Sequence, residues 1–272
     1  MGGGPAGLIG TVGASHLGLK PALIEQQRLG GDCLWTGCVP SKSLLASSHL
    51  GHAMKRAGNM GLQEVDASHD SSLAIERMRK IRSKIALHDD PGRLLQMGID
   101  THFGSARFKN PTTLEVDGIG TFTSKRILLA TGAKPKIPDI KGLDQIEYLT
   151  YENVFDLELY PESIGIIGAG PVGVELAQTF NRLGSKVTVF EVKDRILNQE
   201  DTDVSVRMKN ILQKEGIEIH LESDIHDISV DKNQRTILTS GQEHFIFDSI
   251  LVATGREPAI NGLNLEAANI EV

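Results

Sequence analysis

Near its start the chain reads Gly2-Gly3-Gly4-Pro5-Ala6-Gly7, and beyond its middle Gly168-Ala169-Gly170-Pro171-Val172-Gly173. Both stretches have the form G-x-G-x-x-G, which alone is a weak signal because glycine-rich turns are common. The flanks decide the matter. Gly2 and Gly168 lie 166 residues apart, and the same spacing pairs Pro5 with Pro171, Leu17 with Leu183, Gly18 with Gly184, Lys20 with Lys186 and Glu25 with Glu191. The pattern Leu-Gly-x-Lys-x-x-x-x-Glu recurs without a gap, so one supersecondary unit is used twice.

The unit has a mechanical reading. A strand enters the glycine turn, a helix follows, and a second strand ends in an acid. The first glycine permits the tight turn, the second lets backbone approach a pyrophosphate, and the third lets helix pack close to strand. The anion sits at the helix N-terminus, where free N–H groups and the dipole favour it. Glu25 and Glu191 each lie 23 residues beyond the first glycine, the place of a ribose-binding carboxylate about 20 residues on. A second pair supports the duplication. Ile127-Leu128-Leu129-Ala130-Thr131-Gly132 resembles Ile250-Leu251-Val252-Ala253-Thr254-Gly255. Each is a short apolar run of the kind that forms a strand buried on both faces, and each closes its own unit. The expected fold is therefore α/β, with two Rossmann-like dinucleotide-binding domains in series, residues 1–150 and 151–272.

Composition agrees with this and excludes other classes. The chain has 272 residues, enough for about two domains. Its 29 glycines are an excess, and its aromatics are scarce at 4%. A net charge of −7 without a Lys/Arg-rich run disfavours nucleic acid and anionic membranes as partners. No apolar run approaches the roughly 18 residues of a membrane span. The first cation is Lys20, which disfavours a secretory signal. The expectation is a cytoplasmic chain. Two cysteines do not make a disulfide scaffold, so they point to chemistry.

Between the motifs, residues 41–58 suit a helix, and 71–97 a helix interrupted at Asp90-Pro91-Gly92. Residues 99–130 read as short strands turning at Asn110-Pro111 and Asp117-Gly118. Lys134-Pro135-Lys136-Ile137-Pro138 is a stiff connector, and 152–157 a short helical stretch. In the second half, strands are expected at 163–167, 186–191, 217–221, 225–230, 235–239 and 245–253, with helices at 172–183 and 202–215.

The cysteines lie in Gly30-Gly31-Asp32-Cys33-Leu34-Trp35-Thr36-Gly37-Cys38-Val39-Pro40-Ser41-Lys42. Four residues separate them, which suits a disulfide closed around a turn. Pro40 fits the first turn of the following helix, where its missing N–H costs nothing. Cys38 then stands at a helix N-terminus with Lys42 one turn in, and both features favour a thiolate. Two half-buried structural cysteines are the plain alternative. Zinc needs about four ligands, and no Cys/His pair lies nearby at suitable spacing, so no metal site is expected. His49 and His52 share a helix face and read as solvated.

Two dinucleotide motifs with Cys-x4-Cys-x-Pro-Ser-Lys after the first resemble the class I pyridine nucleotide–disulfide oxidoreductases, which include dihydrolipoamide dehydrogenase, glutathione reductase and mercuric reductase. The resemblance covers nearly the whole chain, and the cysteine segment is its most specific part. Thioredoxin reductases, whose shorter cysteine motif lies in the second nucleotide domain, are disfavoured. The resemblance implies FAD in the first domain and NAD in the second. Gly2, Gly4 and Gly7 would cradle the FAD pyrophosphate and Glu25 its adenosine ribose. Ala106, in Gly104-Ser105-Ala106-Arg107-Phe108, matches a backbone contact to adenine, and Thr131 and Gly132 would lie along the FAD. Gly168, Gly170, Gly173, Glu191 and Gly255 would contact NAD. Cys38 would be the sulfur nearest the flavin and Cys33 the interchange thiol. Lys42 would sit by the flavin N5 edge and pair with Glu175, since a buried lysine needs a partner; two solvated helix charges are the plain alternative. Electrons would pass from NAD(P)H to FAD, to the Cys33–Cys38 disulfide and to substrate, or in reverse for a dihydrolipoamide-type enzyme.

Coenzyme choice follows from Glu191, which would accept the 2′-OH of NAD and repel a 2′-phosphate. NADPH-using relatives carry arginines where this chain has Val192 and Asn198; Lys193 and Arg195 are the cations between. The expectation is NAD(H). Departures from the family limit the substrate assignment. Residues 164–167 form the strand before the second glycine motif, whereas only Met1 precedes the first. The family's Gly-Asp return segment and its dimerisation domain with a His-Glu pair have no counterpart before Val272. The first domain is thus expected to be partial, and a full-length relative a homodimer. Leu34-Trp35-Thr36 departs from the loop of dihydrolipoamide dehydrogenases. The readings are an oxidoreductase acting on a small disulfide or dithiol, a mercuric reductase-like flavoprotein taking a metal ion as substrate, or a nucleotide-binding fragment without turnover.

Overall fold

The computed structural model describes residues 1–65, 71–233 and 235–272. In chain order its elements are α1 (Pro5–His16), β1 (Ala22–Glu25), α2 (Gly31–Trp35), α3 (Cys38–Lys55), α4 (Ser71–Ala86), α5 (Pro91–Gln96), β2 (Asp100–Phe103), β3 (Ala106–Asn110), β4 (Thr113–Val116), β5 (Gly120–Thr123) and β6 (Ala133–Pro135). There follow β7 (Ser163–Ile167), α6 (Pro171–Arg182), β8 (Lys186–Phe190), α7 (Thr202–Lys214), β9 (Glu218–His220), β10 (Ile225–Val230), β11 (Thr236–Ser240), β12 (Glu243–Phe247), β13 (Ser249–Val252) and β14 (Arg256–Pro258).

The chain divides into two compact units that interleave along the sequence. One comprises Met1–Val39, Lys80–Lys134 and Glu257–Val272; the other Pro40–Arg79 and Pro135–Arg256. The division expected near Tyr151 does not coincide with this one. The stretch 40–79 adds Leu44, Ile75 and Met78 to the apolar core of the second unit. The segment 257–272 goes with the first unit, where Phe108 N–H bonds Leu263 O at 2.9 Å and Leu263 and Leu265 pack with Ile24, Phe108 and Leu114.

The second unit contains a four-stranded parallel sheet in the order β13-β7-β8-β9. Each parallel neighbour demands a crossover, and α6 and α7 supply those between β7 and β8 and between β8 and β9. Side chains alternate as strand geometry requires. Ile164, Ile166, Val187, Val189 and Leu251 enter one core with Val174, Leu176 and Phe180 of α6. Ile167, Phe190, Ile250 and Val252 enter the other, against Ile225, Leu238 and Phe247 of the antiparallel β10-β11-β12 meander. The strand order reverses between β13 and β7. At such a switch point the carboxyl ends of the strands leave a crevice for ligand.

The first unit repeats the plan with fewer partners. β1 pairs in parallel with β2, and β3-β4-β5 form the matching antiparallel meander. Residues 127–132, expected as a strand, form none. The physical reason lies in their pairing. Leu128 O accepts the Met1 ammonium and Ala130 N–H bonds Met1 O, so one residue provides the partner backbone. In the other unit β13 pairs with β7 over four residues, Ser249 to Val252.

Candidate functional site

The two glycine turns have the same geometry. α1 and α6 are both 12 residues long, both begin at a proline, and both follow an extended glycine, Gly4 (φ −79°, ψ −175°) and Gly170 (φ −72°, ψ −178°). The first glycine of each turn is left-handed, φ +99° at Gly2 and +105° at Gly168, a conformation that costs glycine nothing. A side chain at Gly2 would meet Ala130 O at 2.1 Å, and one at Gly168 would meet Ala253 O at 2.5 Å. The third glycine admits no side chain either: a Cβ on Gly7 would stand 1.8 Å from Gly2 O, and on Gly173 2.1 Å from Gly168 O. Helix and turn therefore touch backbone to backbone.

The acid at the end of each second strand closes its turn. Glu25 Oε2 accepts the Gly3 amide at 2.6 Å, and Oε1 the Gln27 amide at 2.7 Å. Glu191 Oε2 accepts the Ala169 amide at 2.8 Å, and Oε1 the Lys193 amide at 3.0 Å. The partners match at the 166-residue spacing. Each carboxylate oxygen carries two acceptor positions, so among the described residues one on each oxygen remains for a further donor.

These turns fit the groups a dinucleotide would bring. In the second unit a cavity of about 670 Å³ opens at the N-terminus of α6. Gly168, Gly170, Glu191, Val192, Lys193, Asn198 and Gly255 are among its lining residues. Beyond Gly170 and its chain neighbours, no described atom lies within 4 Å of where a Gly170 Cβ would stand, so backbone is open to an approaching phosphate. Neither α1 nor α6 has an acidic residue in its first turn, which leaves the helix dipole to an anion. In the first unit, Gly4 has Gly31 Cα 3.6 Å from its would-be Cβ. Ala106 opens β3 opposite Val116. Thr131 is half-buried, and Gly132 is exposed with φ +74°.

Sequence reasoning missed several residues of this cavity. Tyr151 and Arg256 line it, and the Arg256 guanidinium lies 4.6 Å from the Tyr151 ring centre. Asp139, Ser223 and Asp224 enter from loops, where no periodicity or motif marks a residue in advance. Arg256 stands directly after Ala253-Thr254-Gly255, and that position was the one available signal. Arg195 does not line the cavity; its guanidinium bonds Thr202 Oγ1 at 2.8 Å and Asn198 O at 3.0 Å.

The cysteines fall in the first unit. Cys33 lies inside the short helix α2, and Cys38 begins α3, so Pro40 occupies its first turn. Both are free thiols, Cys33 half-buried and Cys38 exposed. Cys38 acts on the Cys33 thiol through both its side chain and its backbone. Burial first, and then the Cys38 thiol, push the Cys33 thiol up to about 11.

In the second unit Lys42 Nζ stands 2.6 Å from Glu175 Oε2 on α6. The pair with Glu175 is as expected, but Lys42 is not buried: its side chain is 63% exposed, as in the alternative of solvated charges, because Lys42 points off the face of α3 that buries Ser41, Ser43 and Leu44. His49 is exposed, but His52 is half-buried with Nε2 4.0 Å from Glu215 Oε1. Burial, and then the Arg182 charge, hold His52 below its ordinary value. Among the described residues no group of three or more His, Cys, Asp or Glu side chains could hold a metal ion, and no helix is long and apolar enough to cross a membrane.

Comparison with known proteins matches residues 1–272 to the family described as pyridine nucleotide-disulphide oxidoreductase. The whole chain is 32% identical to half of a mercuric reductase from Lysinibacillus sphaericus. Ninety-nine per cent of it is 31% identical to 60% of a dihydrolipoyl dehydrogenase from Bacillus subtilis. Among solved structures, the HOCl-induced flavoprotein disulfide reductase RclA from Escherichia coli matches the whole chain with a TM-score of 0.88 and 30% identity, over 59% of its own length. The chain thus spans about half the length of the curated relatives it matches.

Proposed function

The chain belongs to the pyridine nucleotide-disulphide oxidoreductase family, whose members use FAD and NAD(P)H, and from that premise we propose that it serves an oxidoreductase whose Cys33–Cys38 pair exchanges two electrons with a small disulfide or dithiol. The observation that carries the reading is a pair of free thiols on the consecutive helices α2 and α3, Cys33 and Cys38, in a chain with two matching dinucleotide turns.

When bound, FAD and NAD(H) supply the two-electron transfer that side chains cannot. The chain's own residues do the rest. Gly2, Gly4 and Gly7 hold one pyrophosphate, and Gly168, Gly170 and Gly173 the other. Glu25 and Glu191 take a ribose hydroxyl on the free acceptor positions of their oxygens. Glu191 repels a 2′-phosphate, and Arg195, committed to Thr202 and Asn198, does not offset that repulsion. The chain therefore selects NAD(H). Lys42 supplies a positive charge, with Glu175 fixing its ammonium. In the dithiol form, the thiol that loses its proton attacks one sulfur of the substrate disulfide and expels the other as thiol. The second cysteine then displaces the substrate sulfur and closes the Cys33–Cys38 bond. Two protons and two electrons leave with the reduced substrate.

A second reading takes a soft metal ion as the substrate. It is favoured by the relatives named mercuric reductase and by the Cu(II) complex of RclA.

The test is spectroscopic. The purified chain is mixed with FAD, freed of excess, and titrated with NADH without oxygen while thiols are counted. Retained yellow colour, bleaching by NADH and the appearance of two thiols per chain are expected. A chain that retains no FAD and whose cysteines never interconvert overturns the proposal and leaves a nucleotide-binding fragment.

A further inference from the structure

Between the two cysteines lies Trp35, and its surroundings are unlike those of an ordinary core aromatic. Leu34 is the buried residue of α2. Among the described residues the apolar clusters of this unit include Leu29 but not Trp35. The indole is instead tied down by polar and cationic groups. Its Nε1–H donates to Leu29 O at 2.7 Å. The Arg28 guanidinium lies 4.1 Å from the ring centre and that of Arg82 5.5 Å away. Arg82 Nη1 also donates to Trp35 O at 3.1 Å.

The rest of the loop is equally confined. Thr36 N–H bonds Asp32 O at 2.8 Å. At Gly37 a side chain would stand 2.9 Å from that same carbonyl. The segment from Cys33 to Cys38 is therefore pinned beside Cys33, at Trp35, and just before Cys38.

Resting on the reading of Cys33 and Cys38 as a redox pair, the geometry points to Trp35 as a positioning residue. Clamped by Arg28, Arg82 and Leu29 O, it keeps the two sulfurs adjacent in the dithiol and thereby stabilises their disulfide. A thiol held beside its partner acts at a higher effective concentration than one on a loose loop, because the ordering entropy is already spent. Trp35 acts through the loop that it anchors.

The step that reads this out is exchange with oxidised dithiothreitol. The Cys33 and Cys38 thiols give up two electrons and two protons and form the Cys33–Cys38 bond, while the dithiothreitol disulfide opens to its dithiol. The equilibrium constant is measured by trapping free thiols with an alkylating agent and weighing the products, for the wild type, W35A and the R28Q/R82Q double variant. W35A is expected to lower the constant about tenfold, a shift of about 30 mV. The double variant, which keeps the indole and its bond to Leu29, is expected to lower it at least threefold. W35F, retaining a ring under Arg28, should recover part of the loss. If W35A is folded and stays within twofold of wild type, the inference fails. It fails equally if the double variant does so, whatever becomes of W35A. A wild-type chain that forms no Cys33–Cys38 bond in any mixture removes both the inference and the redox-pair reading beneath it.

Discussion

Glu191 Oε2 accepts the amide of Ala169, 22 residues earlier in the chain, at 2.8 Å. The residue proposed for coenzyme recognition is thus also a brace of its glycine turn. Its other oxygen holds the Lys193 amide, so the carboxylate fixes both the glycine turn and the loop after β8. A ribose hydroxyl would find an acceptor already immobilised by two donors, at no further ordering cost.

Glu191 is buried and Glu25 only half-buried, so equivalent truncations should differ in cost. A buried amide bonded to a charged group loses about 1.5–3 kcal/mol with its acceptor. E191A should lower stability in urea by about 3 kcal/mol, and E25A by about 1 kcal/mol because water reaches the released amides. Equal losses would show that the two braces do not differ as their burial implies.

The duplication was legible because it rests on backbone sterics: only glycine fits at Gly7 and Gly173, so the spacing survives in the sequence. The closing runs looked identical for a different reason, and there the reading failed. Residues 127–130 have the apolar character of a strand, but a strand also needs a neighbour, and among the described residues Met1 alone pairs with them. Apolar pattern reports burial, not ladder partners. The clamp on Trp35 was equally hidden, since Arg28 and Arg82 are 54 residues apart in sequence.

The two glycines of one motif should separate stability from binding. In G173A the new methyl would stand 2.1 Å from Gly168 O, a clash with backbone that costs about 3 kcal/mol or more. G170A meets open space at an ordinary φ of −72° and should change stability by less than about 0.5 kcal/mol. It places a methyl where a pyrophosphate would approach, so NADH binding, followed by fluorescence, should weaken about tenfold. Unchanged NADH affinity in G170A would remove the phosphate from that turn.

Coenzyme preference should be transferable with two residues. Val192 and Asn198 line the cavity beside Glu191. Arginine at both positions supplies the fork-shaped donors that suit a phosphate. V192R/N198R should shift the ratio of NADPH to NADH affinity upward by about tenfold or more. Titration of both nucleotides into wild type and variant checks this, and an unmoved ratio would place the 2′ position elsewhere.

Arg182 and Glu215 are each about one-tenth exposed and bonded twice, at 2.8 and 2.6 Å. Removing one member of such a buried pair leaves an uncompensated charge and costs about 3–5 kcal/mol. R182M should show that loss in urea unfolding. K42M should cost less than about 1 kcal/mol, because Lys42 is mostly in water despite its 2.6 Å contact with Glu175. Reversed magnitudes would mean that exposure does not govern these two pairs.

The Cys33 thiol should resist ionisation. Burial and the Cys38 thiol push Cys33 up to about 11. A raised thiol pKa keeps the proton on at neutral pH, and the thiolate grows tenfold per pH unit until the pKa is passed. Only about one Cys33 in ten thousand is then thiolate at pH 7. In the reduced protein, iodoacetamide should reach the exposed Cys38 before the half-buried Cys33, and the Cys33 rate should climb without a plateau to beyond pH 10. Replacing Cys38 by serine removes the neighbouring thiol but leaves burial, the larger cause. The Cys33 midpoint in C38S should therefore fall while remaining above the usual thiol value of about 8.5. Peptide mass spectrometry across pH 6–11 reads both rates. A Cys33 plateau near pH 8 would mean that the sulfur is solvated and that this loop does not protect it.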